Sequence, residues 1–517
     1  MLPGITACLI VRDEEAMLPA CLQSIAPWVD EICVVDTGSR DGTVAIARSL
    51  GARVEPFVWV SDFSAARNRS LEMATHAWIL VIDADEELAQ ETGPALRAAA
   101  TRDAQAYLLH RDDLRADGQR EPVPLVRMFR NDPRIRFDLP VHESVMNSLF
   151  AIGCSSPEVI AVRLVHKGYL PEVLARVDKN GRNLAILRGA DPTDVFMRWK
   201  LAQTLIEPDQ LDERIATLVA TIDLLDAMSP EARAERPFAP RVYEALAEAL
   251  ARRGELGRAI ATADRGLAIY ADNAELLHRR ATLALLVGDY PRADTWFAAC
   301  TNATRTAAGY GRSPELGALW STLGKARAAL GRGDNAAAKR RLDQALDTSP
   351  TDIEARCRSV AFAIARGDVT AAMPVFESLV PEFARSPLVR VLAGDVTWRE
   401  GNASGALELW QLAAGFHDAD FDADARIAIV RWLVDEHVSQ LFVGDVSAAG
   451  AKLLLAMAAG VDPSFDPAFD IPAIVASART WIATFVRPAS PRALAALAAV
   501  APAWEPRFPG IAEAIEK

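Results

Sequence analysis

The sequence predicts an α/β N-terminal domain followed by an all-α, repeat-built region, on three observations. Apolar runs separated by single helices fill the first third of the chain, strand signals stop near residue 195, and glycines beyond that point recur at a fixed interval. Near-continuous apolar strands alternating with helices imply a parallel sheet with helices on both faces. A recurring interval of about 20 to 50 residues is the mark of stacked repeats.

Taken in order, Ile5 to Val11 is a β-rich run, Glu14 to Ser24 has helical periodicity, and Glu31 to Val35 is a second apolar run ending at Asp36. Asp41 to Leu50 and Ala65 to Ala74 again read as helices, and Trp78 to Ile82 is a third buried strand ending at Asp83. Such sheets bind ligands beyond the carboxyl ends of their strands. Arg12, Asp36 and Asp83 all fall there.

After residue 195, Gly254 and Gly288 stand 34 residues apart, and Gly333, Gly367 and Gly401 step by 34 again. Each is followed at one offset by alanine (Ala259, Ala293, Ala338, Ala372, Ala406), and the last three by a large apolar residue (Leu342, Phe376, Trp410). Gly444 with Ala449 and Leu453 repeats the pattern after a longer gap. A glycine ends one helix in a left-handed turn, the small alanine lets the next helix approach, and the large residue fills the groove. The pattern resembles a tetratricopeptide (TPR) solenoid, with Trp320-Ser321-Thr322-Leu323-Gly324 matching that family's opening and Pro350 its closing proline. The domains expected are therefore 1–195, 196–462 for the repeats, and a helical cap over 463–517.

The 517 residues carry 56 basic and 69 acidic side chains, a formal charge of −13. That balance argues against a partner as polyanionic as nucleic acid. Six scattered cysteines form no C-x-x-C pair, so neither a zinc ribbon nor a disulfide scaffold is expected. The apolar start is too short for a signal peptide, and no apolar run approaches the 18 or more residues of a membrane span. A cytoplasmic, untargeted protein with no transmembrane segment is the expectation.

Asp83-Ala84-Asp85 puts two carboxylates at a strand end, where oxygen ligands can hold Mg²⁺ or Mn²⁺ against a diphosphate. The plainer reading is a cap on a helix starting near Glu86. Asp36-Thr37-Gly38-Ser39 is also the local signature of aspartic proteases, but those enzymes pair two such carboxylates. The sequence has no second D-T-G, and the segment runs on into a helix.

Leu9 to Glu15, Leu18 to Ile25, Asp30 to Ser39 with Asp41-Gly42-Thr43, Trp59, Asp62 to Asn68, Trp78 and Asp83 to Glu86 together resemble family 2 glycosyltransferases. The likeness is greatest to the branch containing lipopolysaccharide-core glucosyltransferases and bacteriocin peptide S-glycosyltransferases. Val126 to Asn131, Val141-His142-Glu143, His166-Lys167-Gly168-Tyr169 and Lys179 with Arg182-Asn183 extend it, so that it covers about residues 4 to 190. One departure is Arg12-Asp13-Glu14, where the branch usually has Arg-Asn-Glu.

The resemblance implies a GT-A (Rossmann-like) fold, a nucleotide-sugar donor that is usually a UDP-sugar, and a divalent metal, Mn²⁺ or Mg²⁺. It makes Asp85 the direct metal ligand, Asp83 a ribose contact or outer-shell group, and His166 a third ligand. Asp36 would accept from the base or ribose, Arg67 and Asn68 would organise the donor pocket, and Arg12 and Glu14 would lie beside it. Inversion needs a base on the face opposite the diphosphate. Glu143 is the candidate, with His142 as the fallback, while Arg127 and Arg130 could touch acceptor or phosphate.

The function expected is a metal-dependent inverting transferase acting on a protein, peptide or cell-envelope glycan acceptor. Its repeats would bind a partner or acceptor, or form a homodimer. The alternative is an inactive GT-A/TPR interaction scaffold; both D-x-D carboxylates favour the enzyme, and the Arg12-Asp13 departure favours the scaffold.

Overall fold

The computed structural model describes residues 3–114, 120–168, 170, 179–306, 315–414, 423–435, 449–463, 465, 467–486 and 489–516. The chain divides into two compact units, Met1–Leu205 and Ile206–Lys517. The division falls later than residue 195 because the helix Val195–Thr204 packs back on the first unit. Its Met197 joins Val141, Ile186 and Leu187 in one buried cluster.

The first unit runs β1 (Ile5–Val11), α1 (Leu18–Ile25), β2 (Glu31–Asp36), α2 (Thr43–Ser49), β3 (Arg53–Pro56), α3 (Phe63–Met73), β4 (Trp78–Val81), β5 (Glu86–Leu88) and α4 (Gly93–Ala99). It continues with β6 (Ala106–Leu114), β7 (Arg120–Arg130), α5 (Met146–Ala151) and β8 (Glu158–His166), then the helices Lys179–Arg188 and Val195–Thr204. The strands form one sheet in the order β3-β2-β1-β4-β7-β6-β8-β5.

Strands β1 to β4 pair in parallel, as expected. Their alternation sorts side chains onto two faces. Ile5, Ala7, Leu9, Val34, Trp78 and Leu80 pack with Leu18 and Leu22 of α1 and Leu96 of α4. Cys8, Cys33, Val35, Ile79 and Val81 pack with Leu71 of α3 and Leu149 of α5.

The other half corrects the expectation of a wholly parallel sheet. β7 runs antiparallel to β4 and β6, and β5 antiparallel to β8, while β8 runs parallel to β6. These strands carry Asp112, Asp113, Arg127 and His166 in buried positions, so no continuous apolar run announces them. Glu86–Leu88 is likewise a strand, and neither Asp83 nor Asp85 caps a helix there.

In the second unit, helix pairs meet at the glycines the spacing singled out. Gly254, Gly288, Gly333, Gly367 and Gly401 have φ of 84°, 82°, 75°, 77° and 83°. The residue after each donates its N–H five residues back: Glu255 to Leu250, Asp289 to Ala284, Asp334 to Ala329, Asp368 to Ala363, and Asn402 to Thr397. That is the six-to-one bond of a Schellman turn, which only a residue at ease with positive φ can close. The five alanines that follow are buried, as are Leu342 and Trp410. Gly444 lies outside the described residues. Beyond residue 463 the helices Ile471–Trp481 and Pro491–Trp504 continue the unit, and Ile474, Ala478 and Leu497 join the core that holds Val360, Leu392 and Trp410.

Gly324, in the helix Ser321–Gly331, shows why the motif ends in glycine. A Cβ there would stand 2.2 Å from the Phe297 ring, and that ring is itself buried. Gly324→Val is therefore expected to lower stability by about 1–3 kcal/mol, the range for overpacking a filled core. Urea denaturation followed by circular dichroism reads the change, and an unchanged midpoint would refute the packing account.

Candidate functional site

The carboxyl edge of β1, β2 and β4 gathers most of the residues singled out by sequence. At the end of β1 the backbone of Asp13 turns left-handed, with φ of 55°. Its carboxylate accepts from the Arg40 N–H at 2.7 Å, and its own N–H donates to Ser39 Oγ at 3.0 Å. Asparagine and aspartate are the non-glycine residues that best tolerate this conformation, and both offer the oxygen Arg40 needs. The Asp13 departure thus keeps the loop's chemistry. Arg12 beside it is half exposed, 3.8 Å from Asp13, and the Glu14 N–H donates to Thr43 Oγ1 at 2.7 Å.

Asp36 is buried at the end of β2 and accepts from the N–H of Ser39 at 3.1 Å and of Gly38 at 3.3 Å. It shapes its own loop and caps no helix, since α2 begins at Thr43.

Helix α3 holds the loop that carries Glu143. Asp62 caps the helix by accepting from the Ala65 N–H at 3.0 Å. From there Phe63, Ser64, Arg67 and Asn68 lie on one helical face. The Phe63 N–H donates to Pro140 O at 2.9 Å, and Ser64 Oγ donates to Leu139 O. Asn68 clasps the backbone of Phe137, donating to its carbonyl at 2.9 Å and accepting its N–H at 2.8 Å. Leu139 and His142 have φ of 72° and 58°, a conformation costing about 1–3 kcal/mol per residue off glycine. This clasp holds it. His142 itself is exposed.

Arg67 completes the face. Its Nε donates to Glu143 Oε1 at 2.7 Å and its Nη2 to Asp83 Oδ1 at 2.8 Å. Arg127, on β7, donates through Nη2 to Asp83 Oδ2 at 2.8 Å and to Glu86 Oε1 at 2.6 Å, and Glu86 accepts the Asp83 N–H at 2.9 Å. Three carboxylates and two guanidiniums form one chain, in which Arg67, Arg127 and Glu86 are buried and Asp83 and Glu143 partly so. Burial alone would raise the Asp83 pKa, yet Arg67 and Arg127 hold it far below the carboxylate range. Glu86, wholly buried, is pushed upward by desolvation. The sequence marks Arg127 only as a contact for acceptor or phosphate, and Glu86 only as the end of the D-x-D run.

Asp85 points elsewhere. Its Oδ2 lies 3.3 Å from His166 Nε2, and His166 Nδ1 lies 2.8 Å from Asp113 Oδ1. Burial lowers the His166 pKa, but the hydrogen bond and charge of Asp85 more than reverse this, and it rises above the ordinary histidine value. The separation of 3.3 Å is close to that of two neighbouring ligands on an ion with bonds of roughly 2.1 Å. Carboxylate oxygen with imidazole nitrogen is also a donor set that suits Mn²⁺. Among the described residues no three His, Cys, Asp or Glu side chains converge as a ready cage. Further resemblance residues meet at Phe63, whose ring lies 4.8 Å from Trp59 and 4.7 Å from the Arg182 guanidinium. Tyr169 and the Lys179 side chain lie outside the described residues.

Residues 6–152 match the family model of glycosyl transferase family 2, and residues 329–394 that of a tetratricopeptide repeat. The chain carries a family 2 glycosyltransferase domain and TPR repeats. A TPR repeat-containing protein of Synechococcus elongatus is 39% identical to it over 216 residues, 40% of this chain and 53% of that protein. The SPbeta prophage-derived glycosyltransferase SunS of Bacillus subtilis is 31% identical over 196 residues, 35% of this chain and 44% of SunS. The matches span about half the length of these relatives. Among solved structures, S. aureus TarS 1–349 in complex with UDP aligns with a TM-score of 0.31 at 17% identity, covering 48% of this chain and 88% of that one. No helix among the described residues is long and apolar enough to cross a membrane.

Within the glycosyltransferase domain, Arg67→Met keeps the bulk of the side chain, leaves Glu143 without its cation and removes one of the two guanidiniums on Asp83. Breaking such a buried pair costs about 3–5 kcal/mol, measurable by urea unfolding at pH 7. Asp83 has a native pKa held below its unfolded value of about 3.9, so its pairing contributes fully above about pH 4 and fades as pH falls through lower values. The gap between wild type and variant is expected to narrow below pH 4; a constant gap would show that the charge pairing is not what is lost.

Proposed function

We propose that the chain is a metal-dependent, inverting glycosyltransferase that moves a sugar from a nucleotide sugar, taken to be a UDP-sugar, to a protein, peptide or cell-envelope glycan. The observation carrying this reading is the convergence at one sheet edge of the Asp85–His166 pair and of Glu143, which Arg67 ties to the same D-x-D segment. The family match and the likeness to SunS support the reaction class.

In this reading Asp85 and His166 hold Mn²⁺ or Mg²⁺. A hard cation held there would leave positions open for oxygens of the diphosphate and water. When bound, it supplies Lewis-acid stabilisation of the leaving diphosphate. Asp83, with both oxygens engaged by guanidiniums, sets the direction of the segment that presents Asp85. Glu143 takes the acceptor's proton on the opposite face, and with Oε1 held by Arg67 its other oxygen is the base. Asp36 and Arg12 flank the nucleotide end. The repeats recruit a protein partner, the acceptor's carrier or a second copy of the chain.

The test is incubation of the purified protein with a panel of nucleotide sugars and Mn²⁺, following released diphosphate. Asp85→Asn and excess chelator are each expected to abolish turnover, the chelator reversibly, while thermal unfolding of the variant stays near wild type. Full activity in excess chelator would refute metal dependence.

Glu143→Gln is expected to lower turnover by roughly 10²- to 10⁴-fold, the range for losing a general base, with donor affinity little changed in calorimetry. Loss of donor binding instead would place Glu143 in the nucleotide pocket.

A further inference from the structure

Three strands meet at His166. It stands opposite Glu86 in the antiparallel β5–β8 pair and opposite Asp113 in the parallel β6–β8 pair. This register puts one carboxylate on each ring nitrogen: Asp85 Oδ2 at 3.3 Å from Nε2, and Asp113 Oδ1 at 2.8 Å from Nδ1. Both His166 and Asp113 are buried, at 6% and 4% exposure. Asp113 is itself held by Arg111, whose Nη2 donates to Oδ2 at 3.0 Å while its Nε lies 2.8 Å from Oδ1 as an ion pair without a hydrogen bond.

An ionised carboxylate can only accept, so the nitrogen facing Asp113 carries the hydrogen. Nε2 is then the nitrogen left facing Asp85 and the place of an ion beside it. We propose that Asp113 is a positioning residue of the metal site, fixing the tautomer and rotation of His166 so that Nε2 faces the ion. This rests on the reading that Asp85 and His166 hold the metal. Partners of this kind behind a ligating histidine affect metal affinity by roughly 10- to 100-fold. No catalytic step is assigned to Asp113, since it touches neither donor nor acceptor in this scheme. The competing account is that the Asp113–His166 contact merely ties β6 to β8.

The experiment is Mn²⁺ titration of the full chain in the presence of UDP, with affinity from free-Mn²⁺ electron paramagnetic resonance and nitrogen coupling from the pulsed spectrum. Wild type is expected to show coupling from one imidazole, and His166→Ala to lose it. Asp113→Ala is expected to weaken Mn²⁺ binding about 10- to 100-fold and to diminish that coupling. Asp113→Asn, whose side-chain oxygen still accepts from Nδ1–H, is expected to restore both. Should the alanine variant melt below the assay temperature, Asp113→Thr, a strand-compatible side chain too short to reach the ring, repeats the test. Wild-type affinity and coupling in Asp113→Ala or Asp113→Thr would overturn the proposal while leaving His166 a ligand. Absence of imidazole coupling in wild type would overturn the reading of His166 and the role of Asp113 with it.

Discussion

The first unit depends on two buried guanidiniums, Arg67 and Arg127, placed among three carboxylates. Glu86 is buried and Asp83 and Glu143 stand partly buried beside it, an arrangement that is unfavourable without Arg67 and Arg127. The carboxylates outnumber the cations by one, and burial drives the Glu86 pKa upward. Because α3 supplies Arg67 and β7 supplies Arg127, the charges link elements packed on different sides of the D-x-D segment. The geometry of Asp83 is therefore set by tertiary structure, and that of Asp85, two residues on, follows from it.

The second unit solves a different problem with different means. Its turns need no charge network, only a backbone that can adopt positive φ at one point in each helix pair, and the same glycine recurs. Packing between helices rests on the small-then-large alternation that follows. Such a unit stacks by nearest-neighbour contacts, whereas the glycosyltransferase domain draws its site from residues far apart in the chain.

That contrast explains what the sequence made legible. The repeats could be read because their constraint is local and periodic. β1, β2 and β4 could be read because each is an unbroken apolar run ending in a polar residue. β3 was missed because Arg53–Pro56 is short and only partly buried, and β6 to β8 because ion pairs between strands break the apolar pattern. Asp83 and Asp85 were visible as a motif, but their division of labour was not. Asp83 turns to Arg67 and Arg127, while Asp85 turns to His166, and only the folded register separates the two. Asn68 and Asp36 were legible as important residues; their backbone partners, Phe137 and the Gly38–Ser39 turn, were not. Asp113 carried no signal, being 53 residues from His166 along the chain.

The pairing of β8 with both β5 and β6 also sets which changes in chain length the domain can absorb. Side chains on a strand alternate between faces with a period of two. One residue inserted into β8 ahead of His166 would turn the imidazole to the other side of the sheet, away from Asp85 and Asp113 together. Changes of length are thus accommodated in the connections, or by an even number of residues within the strand, as where β8 advances from Val159 to Arg163 while β6 advances from Leu108 to His110. The spacing from Leu164 to His166, paired with Leu88 and Glu86 on β5, therefore fixes the face of the sheet on which the imidazole stands.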